Sequence, residues 1–415
     1  MKLRKVGAIA GIGVLVLAGC NQGSSGGGGK GTINIGIELP QQGSELAGTQ
    51  PEINAIKMAV KDAGGAAGGW TIDIPNSVIL DDAKDGVHDP QTGAQNMQAL
   101  TANPNVIAVI GPQNSSVAKV QIPISNAAGL LQCSAANTNE GLTKPEFGAL
   151  DIRKTNPTKI NYIRVVTTDD YQGPAAARYI LQNLKINTVY IIDSTDTFGK
   201  GIADNFQKYF EANGGTVVAR DGAPKTTTDY TALLTAAKSK NPGAIYFGGV
   251  TADGGARILK TAVQLGLDVP FVGPDGIYDG SATTKDSFLN LAGDDAKKSY
   301  ATAAAVGDFP GRAEFAAKYK AAYNADPTGY SATAYSCAQV VLDALKRAGP
   351  TATDAKDLRE KIRAAAVDPS ITYTSVIGSF KFDANGDTSQ KIISFYTFDP
   401  TAKDWAFKEQ LDFAK

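Results

Sequence analysis

The chain has 415 residues, 43% of them hydrophobic and 20% charged, with a formal net charge of −1. That is the composition of a soluble globular protein long enough for two domains. The near-neutral balance leaves no basic footprint and argues against a nucleic-acid partner.

The first segment reads as an address. Lys2, Arg4 and Lys5 precede Val6 to Ala18, an apolar run without a charge. Small residues and a cysteine end it, which completes the three parts of a secretory signal over residues 1–19. The run is shorter than the roughly 20 residues that span a bilayer. A signal cut elsewhere and a short membrane helix are the alternatives. Leu17-Ala18-Gly19-Cys20 resembles the bacterial lipobox, which implies lipidation at Cys20. More than one acyl chain there would anchor the protein stably. Residues 20–31 are mostly Gly, Ser, Asn and Gln and read as a flexible tether. The expected location is extracytoplasmic, on the periplasmic or cell-surface side of a membrane.

The folded part then alternates short apolar runs with amphipathic stretches. Ile33 to Ile37 predicts a strand, and Glu52 to Ala63 a helix with Ile53, Ile56 and Val60 inward. Val78 to Leu80 precedes a helix from Asp89 to Ala102. Val106 to Ile110 precedes one from Ser116 to Ala128, and Leu130-Leu131 opens the next strand. Continuous apolar strands between helices indicate a parallel sheet covered on both faces.

The pattern restarts at Tyr162 to Val166 with a helix from Gly173 to Leu184. Strands at Val189 to Ile192, Val217-Val218, Ala244 to Phe247 and Phe271-Val272 alternate with helices at Gly199 to Ala212, Tyr230 to Ser239 and Gly255 to Leu265. Helices follow at Arg312 to Tyr323, Ser331 to Arg347 and Lys356 to Ala366. Phe380 to Phe382 and Ile392 to Phe398 read as a strand pair around Asp383-Ala384-Asn385-Gly386. The fold class expected is α/β, with two doubly wound parallel-sheet lobes. The expected division is 32–165 plus 305–377 against 166–304 plus 378–415, with several crossings acting as a hinge.

Catalytic and metal chemistry find little support. The single histidine, His88, lies among Asp85-Gly86-Val87 and Asp89-Pro90 and reads as a solvated turn residue. No Cys/His cluster has zinc spacing. Asp383 to Asp387 mimics the opening of a calcium loop, but Thr388 and Ser394 stand where Gly and Glu are needed. The glycine clusters match neither the P-loop nor the dinucleotide fingerprint. No catalytic residue, metal or cofactor is expected. Apart from Cys20, the cysteines are Cys133 and Cys337. A disulfide is favoured for an exported protein, two buried free thiols being the alternative.

Ligand chemistry belongs at the carboxyl ends of the strands, where open α/β sheets bind. Gly111 to Ser116 opens a helix with amides and hydroxyls suited to a carboxylate. Cys133 to Thr138 is a second hydroxyl-bearing loop. Thr195 to Gly199, Gly248 to Asp253 and Gly273 to Tyr278 are their counterparts in the second half. Donors on one side and Asp275 on the other suit a zwitterion. Taken singly, Ser115 also reads as a helix cap and Asp275 as a turn residue.

Val109 to Ser116, Ser134 to Thr138, Gln172-Gly173-Pro174, Phe198 to Gly201, Tyr246 to Gly249 and Gly273 to Gly276 together resemble the leucine/isoleucine/valine-binding proteins, the amino-acid receptors of ABC importers. The resemblance runs from about Thr32 to the C-terminus, here in a lipoprotein form. It implies two lobes joined by a three-stranded hinge and closing on the ligand. Ser115 and Thr138 would hold the ligand carboxylate, with Ser116 and Asn137 in the same loops. Ala136 would offer its carbonyl to the ammonium and Asp275 its carboxylate, where relatives usually have Glu. Phe198 would face the ligand where Tyr is common. Gly48 and Val250 stand where relatives place aromatics. The function implied is capture of a branched-chain or other neutral amino acid for an ABC permease, by a monomer and without catalysis. A ligand sensor or scavenger for an amide or aromatic acid, without a transporter, is the alternative.

Overall fold

A computed structural model describes residues 29–414. The signal segment, Cys20 and most of the tether lie outside the described residues.

Two sheets organise the chain. The first contains β1 (Thr32–Glu38), β2 (Trp70–Asp73), β3 (Ile79–Leu80), β4 (Val106–Ile110), β5 (Leu131–Ser134) and β6 (Tyr162–Arg164). Its order is β2-β1-β4-β5-β6, all parallel, with β3 beside the end of β1 and Ala66–Ala67 antiparallel at the edge. Ile33, Ile35 and Ile37 alternate onto one face, as period-two geometry requires. Covering helices are α1 (Leu46–Asp62), α2 (Pro90–Ala102) and α3 (Ser115–Ala127).

The second sheet contains β7 (Thr188–Asp193), β8 (Thr216–Gly222), β9 (Ala244–Gly248), β10 (Phe271–Gly273) and β11 (Ser299–Ala303), ordered β8-β7-β9-β10-β11 and parallel. Helices α4 (Asp169–Gln182), α5 (Thr197–Ala212), α6 (Thr231–Ser239) and α7 (Gly255–Gln264) cover it. Ile192, Ile245 and Phe271 pack to one side, and Ile191, Tyr246 and Val272 to the other. Burial on both faces explains why these strands read as unbroken apolar runs. The expectation of two parallel-sheet lobes is borne out.

The tail returns to the first lobe. Helices α8 (Arg312–Tyr323), α9 (Ser331–Ala348) and α10 (Ala355–Ala366) join its core. The chain then re-enters the second sheet through β12 (Ile392–Asp399), which is antiparallel to β11 and paired with β13 (Asp404–Asp412). It thus passes between the lobes three times, and the passages touch. The Thr167 amide donates to Ala304 O, and its hydroxyl to Ile392 O. The expected pairing of Phe380–Phe382 with Ile392–Phe398 is corrected. Gly378–Phe380 pairs with Tyr373–Ser375, and only a Phe382–Thr388 bridge closes the turn. Ile393 and Phe395 are needed against Tyr179 and Ala175 of α4, which draws their strand into the second sheet.

Two fixtures hold the first lobe. Cys133 of β5 and Cys337 of α9 form a disulfide, with Cα atoms 5.9 Å apart. At the end of β6, the wholly buried Arg164 donates through Nε to Asp387 Oδ1 at 2.6 Å. Its remaining N–H groups reach Asn137 O, Asn139 O and the Thr143 hydroxyl. The turn that mimics a calcium loop therefore supplies a counter-ion. Burial alone would raise the Asp387 pKa, but the guanidinium holds it below the ordinary range.

Candidate ligand-binding cleft

Strand order reverses at β1/β4 in the first sheet and at β7/β9 in the second. Crevices form outside such reversals because successive helices leave on opposite faces. The two crevices face each other and line a partly open cavity of about 60 Å³. One water occupies roughly 10–15 Å³ on such a scale.

The first-lobe wall starts at Gly111. Its φ of +127° is a glycine conformation, and a Cβ there would lie 1.9 Å from Glu38 O. That turn delivers Gln113, Asn114 and Ser115 to the cavity. Asn114 is the N-cap of α3 but makes no side-chain cap bond, so its helix carries no side-chain lid over the first-turn amides. The Ser115 hydroxyl accepts from the Asn139 amide at 3.4 Å. Ala136, from the loop after β5, also lines the cavity.

The second-lobe wall carries Phe198, Val250 and Asp275. Phe198 lies in the first turn of α5, where Asp196 caps the Gly199 amide at 2.6 Å. Val250 and Gly276 are in close contact, since a Cβ on Gly276 would meet Val250 Cγ1 at 2.7 Å. Asp275 follows β10. It accepts from Gln172 Nε2 at 2.6 Å and, across the cleft, from the Tyr330 hydroxyl. Burial raises its pKa to about 6, against the pull of those two bonds.

Of the residues named from sequence, Ser115, Ala136, Phe198, Val250 and Asp275 thus meet at one cavity, with Gly48 beside them. Ser116, Asn137 and Thr138 are set back from its lining. Asn137 accepts from the Tyr162 hydroxyl and donates to Gln113 O, which shapes the loop. The Ser116 hydroxyl is buried without a partner. Thr138 sits beside Asp169, whose backbone amide donates to Thr138 O. Asp169 is itself wholly buried, and burial with repulsion from Glu140 and Asp275 pushes its pKa well up.

Several lining residues escaped the sequence reading. The sequence pattern starts a helix at Glu52. The helix begins six residues earlier, at Leu46, and continues through Pro51. Glu52 is therefore buried at the cavity wall, 1% exposed. Neither of its oxygens has a hydrogen-bond partner, although the Gln113 side chain faces it. Glu45 and Asp279 also line the cavity, as do Tyr278 and Tyr330.

His88 is corrected as well. It is 2% exposed, with Nδ1 2.8 Å from Glu45 Oε1 and Nε2 3.5 Å from Asp196 Oδ2. Its carbonyl accepts from Lys225 at 2.6 Å. Burial alone would strip its proton, but Glu45 and Asp196 hold its pKa well above the ordinary imidazole value. Glu45 belongs to the first lobe and Asp196 to the second, so the imidazolium bridges the cleft. Asn139 to Thr197 O at 3.0 Å and Asn205 to Glu140 at 2.9 Å bridge it elsewhere. Its sequence neighbours hid these partners, which arrive from distant loops. Among the described residues no cluster of three or more His, Cys, Asp or Glu could hold a metal ion. None of the helices there is long and apolar enough to cross a membrane.

Residues 32–400 match the family described as periplasmic binding protein. The chain is 26% identical over 367 residues to the Leu/Ile/Val-binding protein BraC3 of Rhizobium johnstonii, covering 88% of this chain and 92% of that one. It is 27% identical to the leucine-, isoleucine-, valine-, threonine-, and alanine-binding protein of Pseudomonas aeruginosa, covering 90% of each. Among solved structures it resembles the branched-chain amino acid transporter substrate binding protein LivJ of Streptococcus pneumoniae in complex with isoleucine. The TM-score is 0.76 at 25% identity, over 92% of this chain and 99% of that one.

Proposed function

The chain belongs to the periplasmic binding protein family, whose members bind solutes rather than transform them, and from that premise we propose that it captures a free amino acid between its lobes and delivers it to an ABC importer. The observation that carries this reading is the polarity of the cavity. Amides and hydroxyls at the start of α3 face one end, and the buried Asp275 carboxylate stands on the opposite lobe. A ligand carboxylate suits the first end, because helix N-terminal amides attract anions. An α-ammonium suits Asp275, whose burial makes a charged partner valuable. Ser115, Ser116 and the Asn137–Thr138 loop would orient the carboxylate, and the Ala136 carbonyl would share the ammonium.

The three passages near Val165, Ala304 and Thr388 would serve as the hinge, dividing the chain close to 32–165 plus 305–377 and 166–304 plus 378–415. Closure would bury the ligand, and a permease that prefers the closed form would read it. Export and a lipid on Cys20 would place a monomer at the membrane surface.

Calorimetry of the purified chain against the free amino acids tests the reading. At least one α-amino acid should bind, and should bind far less well once its ammonium is acetylated. If no amino acid binds, the reading is wrong.

A further inference from the structure

The cavity holds more acid than a neutral amino acid uses. Glu45, Glu52, Asp275 and Asp279 all line it, and no lysine or arginine does. Three of the four have partners within the protein. Glu45 faces His88, Asp275 takes Gln172 and Tyr330, and Asp279 accepts the Phe288 amide at 2.9 Å. Glu52 alone has no hydrogen bond to either oxygen, with only the neutral Gln113 side chain facing it. The Tyr330 hydroxyl donates to Asp275, and the charges of Asp275 and Glu52 both act on it. A buried polar group without a partner is costly, and native proteins retain one where function uses it.

We propose that Glu52 receives a second cationic group of the ligand, which makes the preferred ligand a short diamino acid rather than a branched-chain one. This rests on the amino-acid reading above. A leucine-like side chain would leave Glu52 desolvated and unpaired. A side-chain ammonium would give it three donors and a counter-charge. The small cavity favours a short arm, as in 2,4-diaminobutyrate or ornithine. Burial raises the Glu52 pKa to about 8, so at pH 7 the empty site holds it protonated. Pairing with a cation would ionise it and release its proton.

The test is calorimetry of the full folded domain with L-2,4-diaminobutyrate, L-ornithine, L-leucine and L-glutamine at pH 7, in two buffers of different ionisation enthalpy. The diamino acids should bind roughly 10- to 100-fold more tightly than leucine. Their binding should release close to one proton, read from the buffer dependence. Glu52→Gln should remove both the preference and the proton release. Circular dichroism checks that variant's fold, and the wild-type preference and proton release test the inference without it. The inference is overturned if leucine or glutamine binds as well as the diamino acids. It is equally overturned if Glu52→Gln weakens leucine and diamino acids alike, since Glu52 would then share the α-ammonium. Either result leaves the amino-acid reading intact. Failure of all four ligands to bind would overturn this inference, and failure of every free amino acid would overturn the amino-acid reading as well.

Discussion

Two groups of buried ionisable side chains lie on either side of the loop from Ser134 to Asn139. Behind it, Arg164 and Asp387 form a completed set, each with an opposite charge and hydrogen bonds to spare. In front of it, Asp275 and Glu52 face a cavity with neutral donors or none. Similar burial thus has two outcomes. Where every polar atom is satisfied, the charge fastens the loop to the passage between lobes. Where satisfaction is incomplete, the carboxyls stand ready for a partner from outside.

The comparison breaks most sharply through Arg164→Met, which strands Asp387 in the interior. It should cost about 3–5 kcal/mol in chemical denaturation, and a further Asp387→Leu change should recover most of it. If Arg164→Met costs no more than a surface change, the pair is not structural. Asp275→Asn should behave in the opposite way. Stability should hold or rise, because a buried carboxyl is replaced by a neutral amide. Affinity for an α-amino acid should fall roughly 30-fold or more by calorimetry. A loss of stability with unchanged affinity would place Asp275 with the structural set.

His88 sits between these extremes, and pH separates its contribution. Its folded pKa is raised, so its stabilisation is complete below the ordinary value of 6.5 and is lost as pH rises through the folded value. Glu45 and Asp196 are held below their ordinary values, so their share is present above those values and is lost on acidification. His88→Gln should therefore lower the melting temperature most near pH 6, by the equivalent of about 2 kcal/mol, and progressively less on the alkaline side. A pH-independent difference would count against the ionic bridge. The smallest effect is expected at Gly48, within α1. A Cβ there would come no closer than 3.9 Å to Asp279 Cβ. Gly48→Ala should stabilise the chain by about 0.5–1 kcal/mol through helix propensity, with affinity nearly unchanged.

Much of the scaffold was legible. Val106–Ile110 and Ala244–Phe247 declare buried parallel strands, and Arg312–Tyr323 has the bounds its periodicity indicates. The strand at Ser299–Ala303 is not legible because three of its five residues are Ser or Ala, which leaves no continuous apolar run. Asp404–Asp412 was missed because a register shift opposite Phe395 and Tyr396 breaks its alternation. In the site, loops at strand ends pointed to Ser115, Ala136, Phe198, Val250 and Asp275. Nothing local points to Glu52, because a helix read from Glu52 to Ala63 leaves it at the first position, whereas the helix runs from Leu46 and buries it.

By itself the sequence determined the two-lobed α/β plan, the return of the tail to the first lobe and which loops could face a ligand. Those follow from period, apolar continuity and turn residues, which are local. Only the tertiary structure decided which polar residues have partners. Glu52 is left unpaired and His88 is held between two acids by elements far apart in the chain. Desolvation and pairing depend on distances across the fold, and local sequence does not carry them.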